Sequence, residues 1–283
     1  MTSIFRPART ILGLSPAALK EHLLSPSPQT LHLTNLISAW PALTRWRPDD
    51  NLREIREAVG ADRAVEVELG KKGRGYLHPD WQRVHMPFGL FLDAFILSLI
   101  PSSTPASALP SAYLAQSDLL DTSPRLAAAV PPLIHFYQGK EKSLYRRTIW
   151  IGPERSFTPF HKDPYVGIYS QIIGNKTFHV LPPEAAQYLS PSNLPRHTNT
   201  SQIPLPVSRI FSSNIPGAVA QDLADLPRDI VRTYQDQLKK AAAVDGACVV
   251  ELEAGDSVLV PEGWWHAAEG GDGPGVGVGA WFR

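Results

Sequence analysis

Three residues in this chain have side chains and spacing suited to holding a metal ion. His161 and Asp163 stand two apart in Phe160-His161-Lys162-Asp163. On an extended segment such positions point to one side, so an imidazole and a carboxylate converge on the same point. His266 closes Pro261-Glu262-Gly263-Trp264-Trp265-His266, after the strand-like Asp256 to Val260, where a barrel strand would return to the mouth. Two histidines and one carboxylate on one face leave coordination positions open. Non-haem Fe(II) oxygenases use that arrangement, and catalytic zinc takes the same donors. The tripeptide alone is weak evidence, because with nine histidines in 283 residues a chance His-x-Asp is unsurprising. A second copy exists at His78-Pro79-Asp80, but its central proline and polar turn argue against a ladder position. Taken singly, His266 reads as readily as an aromatic-packed surface histidine.

Lys176, in Gly174-Asn175-Lys176, enters an apolar segment 13 residues after Asp163. A buried ammonium needs a counter-charge, and a dicarboxylate cosubstrate would supply one. Thr158 and Tyr113 are placed to donate hydroxyls to the same carboxylate, and charge-assisted bonds of this kind are strong in a desolvated pocket. The plain alternative is a solvated hairpin lysine after the Gly174-Asn175 turn.

The elements that must position these residues change character along the chain. Ser15 to Leu24 reads as a helix with Ser15 as N-cap and Pro16 in the first turn. Helices are also expected over Asn51 to Val59 and Pro87 to Ile100, and strands over Leu31 to Ile37, Arg63 to Leu69 and Ala112 to Ala115. From Thr148 onward strand follows strand: Thr148 to Pro153, Tyr165 to Ile173, Lys176 to Leu181, Cys248 to Leu252, Asp256 to Pro261 and Val276 to Phe282. Ser190 to Ala218 reads as a long loop, and Leu223 to Ala243 as a helix. The expected fold is mainly β with helices (α+β), one barrel dressed by N-terminal helices and one inserted helix.

Composition narrows the function. The chain has 27 basic and 27 acidic residues, a formal net charge of zero, so nothing in the totals supports a polyanion-binding surface, and direct nucleic-acid binding is not expected. No run approaches the ~18 apolar residues of a membrane helix. A lone cysteine, Cys248, excludes an intrachain disulfide, a thiolate zinc cluster and an iron–sulfur centre. The reading is a nuclear or cytoplasmic protein. Arg6, Arg9 and Lys20 precede the first acid, Glu21, and keep a mitochondrial transit peptide open, although Pro7 and Pro16 interrupt its helix.

Three segments together resemble the Jumonji-C (cupin-like) oxygenases: Phe157 to Pro164, Gln171 to Lys176, and Gly255 to His266. The resemblance extends to Asn35 through Ala42 with Trp46, to Tyr113 through Gln116, and to Trp150 through Pro153, and is greatest to a short protein-hydroxylase subgroup. It implies a double-stranded β-helix (jelly-roll) barrel, Fe(II) as metal, and 2-oxoglutarate and O2 as cosubstrates. It places a lead-in with one helix at 1–27 and a single Jumonji-C domain at 28–283, with its core motifs at 148–283. Carried over by residue, it makes His161, Asp163 and His266 the iron ligands. Tyr113, Thr158 and Lys176 then hold the distal carboxylate of 2-oxoglutarate, with Trp150 and Trp281 lining the pocket. Glu68 and Trp81 fall near substrate-holding positions, although extra residues over Gly70 to Gly75 shift the alignment and Glu68 reads equally well as an exposed strand carboxylate.

The implied activity is hydroxylation, or the chemically equivalent N-demethylation, of a protein or peptide side chain. A small-molecule oxygenase and a non-catalytic cupin-fold binding protein are the alternatives. Two departures bear on the choice: Gly167 stands where the subgroup has asparagine four residues after the metal aspartate, and Ser190 to Asp245 is longer than in the subgroup. The sequence ends soon after the last expected strand, without the C-terminal helices through which several relatives dimerise. The apolar stripe Leu223, Leu226, Ile230, Val231, Tyr234 and Leu238 is expected to pack on its own barrel, so a monomer is expected.

Overall fold

In the computed structural model, the described residues are 4–72, 74–101, 103, 109–195, 197–212 and 226–283. They form two sheets. In chain order the strands are β1 (Arg6–Pro7), β2 (Arg9–Leu12), β3 (Leu31–Thr34), β4 (Ala64–Gly70), β5 (Gln82–Pro87), β6 (Ser111–Ser117) and β7 (Leu144–Gly152). There follow β8 (Phe157–Lys162), β9 (Val166–Ile173), β10 (Lys176–Leu181), β11 (Cys248–Leu252), β12 (Ser257–Val260), β13 (Trp265–Gly270) and β14 (Gly275–Phe282). The smaller sheet runs β1-β11-β10-β13-β8 and the larger β2-β3-β12-β9-β14-β7-β6-β4-β5. Within them lie two antiparallel four-stranded units, β8-β13-β10-β11 and β7-β14-β9-β12, and the chain passes repeatedly from one to the other. This is the jelly-roll, cupin-like barrel, with helices on its outside.

Period-two alternation decides which faces are filled. On β14, Val276, Val278 and Ala280 join the large core that continues through Ile149, Ile151 and Ile168 to the N-terminal helices. The other face carries Gly275, Gly277 and Gly279. A Cβ at Gly277 would lie 2.1 Å from Tyr169 Oη, and one at Gly279 would lie 2.7 Å from the Trp281 ring. The glycines therefore let two large rings lie against the strand. On β10, Phe178 and Val180 enter a smaller core with Val250, Leu252, Val258 and Trp264. Leu181, on the opposite face of that strand, packs with the inserted segment.

Several sequence expectations move. The strand from Leu31 stops at Thr34, because Asn35 has φ 66°. The helix expected from Asn51 begins at Arg53, since Asn51 and Leu52 both have positive φ. The single helix expected over Pro87 to Ile100 is one α-turn, Phe88–Phe91, and one π-turn, Leu92–Ile96, stopped where Ser98 takes φ 52°. Inside the expected loop after Ser190 lies a helical turn, Val207–Phe211, whose first amides donate to Glu269; Val207 N does so at 2.6 Å. The inserted helix is Arg228–Ala242 with Pro227 as its N-cap; the expected start at Leu223 lies outside the described residues. Val231, Leu238 and Ala241 are buried, and Leu238 and Ala241 pack with Leu181, Ala185 and Leu189 of the chain's own barrel side. No helix among the described residues is long and apolar enough to cross a membrane.

Candidate metal and cosubstrate site

The barrel interior opens into a small cavity of about 50 Å³, lined at one end by His161, Asp163 and His266 and at the other by Lys176, Tyr113 and Thr158. His161 lies near the end of β8, Asp163 just beyond it, and His266 on β13, which pairs with β8 so that His161 and His266 are register partners. One candidate ligand atom from each of the three lies within 4.8 Å of the others. Among the described residues no other such group of three is present. His78 and Asp80 face each other at 3.6 Å in a turn and gather no third ligand.

Both imidazoles are fixed by nearby backbone carbonyls. His161 Nδ1 lies 2.9 Å from the Pro159 carbonyl and His266 Nδ1 lies 3.3 Å from the Trp264 carbonyl. A carbonyl only accepts, so each Nδ1 carries the proton and each Nε2 keeps a lone pair free for a metal. Burial, reinforced by neighbouring His161, pushes His266 down to about 4, so it is neutral at pH 7. Burial pushes the Asp163 carboxyl up, but His161, His266 and the Trp281 N–H outweigh it and hold it below the usual range. The donor set is two imidazole nitrogens and one carboxylate. It suits a divalent cation.

At the far end Lys176 Nζ donates to Tyr113 Oη at 3.0 Å and lies over the Tyr113 and Tyr169 rings at 5.3 and 5.1 Å. The lysine is 6 % exposed, and burial lowers its pKa to about 7. Burial first, then Tyr169 and Glu68, pushes the Tyr113 phenol well above its ordinary value, with the Thr158 hydroxyl opposing. Trp150 lines the cavity, and its buried indole N–H has no partner among the described residues. Trp281 also lines it, but its N–H is committed: it donates to Asp163 Oδ2 at 2.8 Å.

Glu68 and Trp81 lie elsewhere. They line a separate small pocket with Tyr76, whose shared wall with the main cavity is Tyr113, the register partner of Glu68. Burial pushes Glu68 up to about 6, partly opposed by Arg83 and by Trp81. Tyr76 was not singled out by the sequence reading. Its Oη sits 2.9 Å from Thr200 Oγ1, and its ring meets Trp81 at 6.5 Å. The extra residues before it obscured its alignment, and a tyrosine in a polar turn carries no signal by type. Tyr169 was also missed; the unoccupied face of Gly277 beside it was the available hint.

Barrel, cavity and donor set define a class, and comparison with known proteins gives the same one. A family model described as a cupin-like domain matches residues 16–283, so the chain belongs to the cupin-like Jumonji-C family, which is in general Fe(II)- and 2-oxoglutarate-dependent. The match begins within the expected lead-in. Among curated relatives, lysine-specific demethylase JMJ30 of Arabidopsis thaliana is 28% identical over 250 residues, covering 88% of this chain and 48% of that protein. Lysine-specific demethylase 8 of Xenopus tropicalis is 25% identical over 249 residues, covering 87% and 46%. HSPB1-associated protein 1 of Homo sapiens is 31% identical over 137 residues, covering 48% and 23%. The chain thus spans about half the length of the two demethylases it matches.

Proposed function

We infer that this protein is an Fe(II)- and 2-oxoglutarate-dependent dioxygenase that hydroxylates, or N-demethylates, a protein side chain. The observation that carries the reading is the pairing of chemistries across one cavity. A two-histidine, one-aspartate donor set stands at one end, and at the other a buried lysine has hydroxyl and ring neighbours but, among the described residues, no carboxylate bonded to it. A dicarboxylate spanning that distance meets the metal with one end and Lys176 with the other.

Bound iron supplies the activation of dioxygen that turns 2-oxoglutarate into succinate and carbon dioxide and oxidises a substrate C–H bond. The chain's residues do the rest. His161, Asp163 and His266 hold the metal. Lys176, Tyr113 and Thr158 fix the distal carboxylate, and Trp150 and Trp281 wall the cavity against water. A protein substrate is favoured because two relatives are named lysine-specific demethylases. The half-buried Glu68 carboxylate beside Trp81 and Tyr76 adds that a cationic side chain would find its counter-charge across the strand pair from Tyr113. The test is succinate formation from 2-oxoglutarate by iron-loaded protein, alone and with basic, acidic and neutral peptide pools. Turnover stimulated by basic peptides is expected. Turnover stimulated only by small molecules would place the substrate elsewhere, and no turnover at all would leave a binding module.

A further inference from the structure

Each candidate metal ligand is held by one neighbouring group, and the three devices are not alike. His161 and His266 are each fixed by the carbonyl two residues back in the chain. Asp163 has no such local support. It lies just past the end of β8, before Pro164, and its side chain is 22% exposed. Its carboxylate is held instead from the opposite sheet, by the Trp281 indole N–H at 2.8 Å from Oδ2. The next residue but one on that strand's exit, Arg283, donates to the Pro164 carbonyl at 2.6 Å, so the end of β14 grips both the aspartate side chain and the turn behind it.

The surroundings leave the indole where it is needed. Its ring lies over Gly279, where a Cβ would come within 2.7 Å of it, and its register partner on β9 is Gly167. A Cβ at Gly167 would approach Trp281 Nε1 only to 3.8 Å, an ordinary contact, so the next atoms of a longer side chain would crowd that N–H.

We propose that Trp281 is a positioning residue for the metal centre: its N–H locks the rotamer of the only anionic ligand, and Gly167 keeps the space beside that bond clear. The inference rests on the reading of His161, Asp163 and His266 as a metal site. An outer group orienting a metal ligand typically contributes 10- to 100-fold in metal affinity. Trp281→Phe removes the donor, together with the outer indole ring that lies over Gly279.

The experiment is Co(II) titration of the protein without cosubstrate, followed by calorimetry and by the visible spectrum of the bound metal. Wild type, Trp281→Phe and His161→Ala are compared. The expected result is a 10- to 100-fold weaker Co(II) affinity for Trp281→Phe, and no specific binding by His161→Ala. Equal affinity in wild type and Trp281→Phe, with binding still lost in His161→Ala, overturns the role of Trp281 and leaves the triad standing. Undiminished binding by His161→Ala overturns both. Should Trp281→Phe fail to fold, the ¹⁵N-indole resonances of the metal-free protein carry the test. One indole proton is expected downfield and protected from exchange, moving upfield in Asp163→Asn, and no indole resonance responding to Asp163→Asn overturns the proposal.

Discussion

The two ends of the cavity solve opposite electrostatic problems. At the metal end a single anion, Asp163, is offset within the protein by an indole N–H and two fixed imidazole rings. That end is organised before anything binds. At the lysine end a cation is buried with, among the described residues, a phenol hydroxyl and ring faces for company, and burial drags its pKa to about 7. That end is under tension until an anion arrives. The contrast teaches which residues act through geometry and which through charge, and it can be broken by substitutions on each side.

The largest expected effect is at the organised end. His161→Ala and Asp163→Ala each remove one of three donors, and both are expected to abolish iron retention and 2-oxoglutarate turnover while leaving the fold intact. Metal content after dialysis and succinate release are the measurements. Full activity in either variant would remove the triad from the mechanism.

At the tense end, Lys176→Met is expected to act with opposite sign on binding and on stability. Losing a charge-assisted bond of ~1.5–3 kcal/mol weakens 2-oxoglutarate binding roughly 10- to 150-fold. The metal-free, cosubstrate-free protein should meanwhile become more stable. Lys176 has a folded pKa near 7 against 10.5 unfolded, so the unfolded chain holds that proton more tightly. The destabilisation is therefore full below pH 7 and fades as pH rises from 7 towards 10.5, with an upper bound of ~5 kcal/mol. Urea unfolding of both proteins at pH 6.5 and 9.5 checks it: the gap between them should shrink at the higher pH.

A smaller effect follows for the cosubstrate itself. The protonated lysine is the form that binds a dicarboxylate, so in wild type the affinity for 2-oxoglutarate should fall by about tenfold between pH 6 and pH 8, as the empty site loses its proton. In Lys176→Met the same titration should be flat. An equally steep fall in both would move the pH dependence away from Lys176.

How much of this was legible in the sequence depends on whether a residue acts through its type or through a partner far along the chain. The three metal-binding candidates could be read because a two-residue step on an extended segment fixes direction, and Lys176 because a lysine entering an apolar strand raises an electrostatic question. The strand alternation after Thr148 gave the barrel. The helical stretch over Pro87 to Ile100 misled because an apolar run does not reveal a π-turn or a positive φ at Ser98. The bond from Trp281 to Asp163 joins residues 118 apart, and neither periodicity nor composition encodes it. Gly167 reads in sequence as a missing polar group. In the fold it is also the space beside the Trp281 N–H.

The smallest expected effect lies across Tyr113 from the lysine, where Glu68 presents the same tension with reversed sign. Its carboxyl is pushed up to about 6 by burial, against 4.5 for a free glutamate. Here the folded state holds the proton more tightly, so stability is lost as pH rises from 4.5 through 6, and the loss is complete above that. Glu68→Gln should therefore stabilise the free protein by ~1–2 kcal/mol at pH 7 and by nothing at pH 4. Arg83, 3.9 Å from the carboxylate, already offsets part of the strain within that value. A cationic substrate side chain would relieve the strain that glutamine removes, so the same variant should raise the Michaelis constant for basic peptides while leaving metal affinity untouched. Denaturant melts at pH 4 and pH 7 read the first effect and peptide kinetics the second. A variant that is more stable at pH 7 yet indifferent to peptide charge would mark Glu68 as a strained carboxylate with no part in substrate recognition.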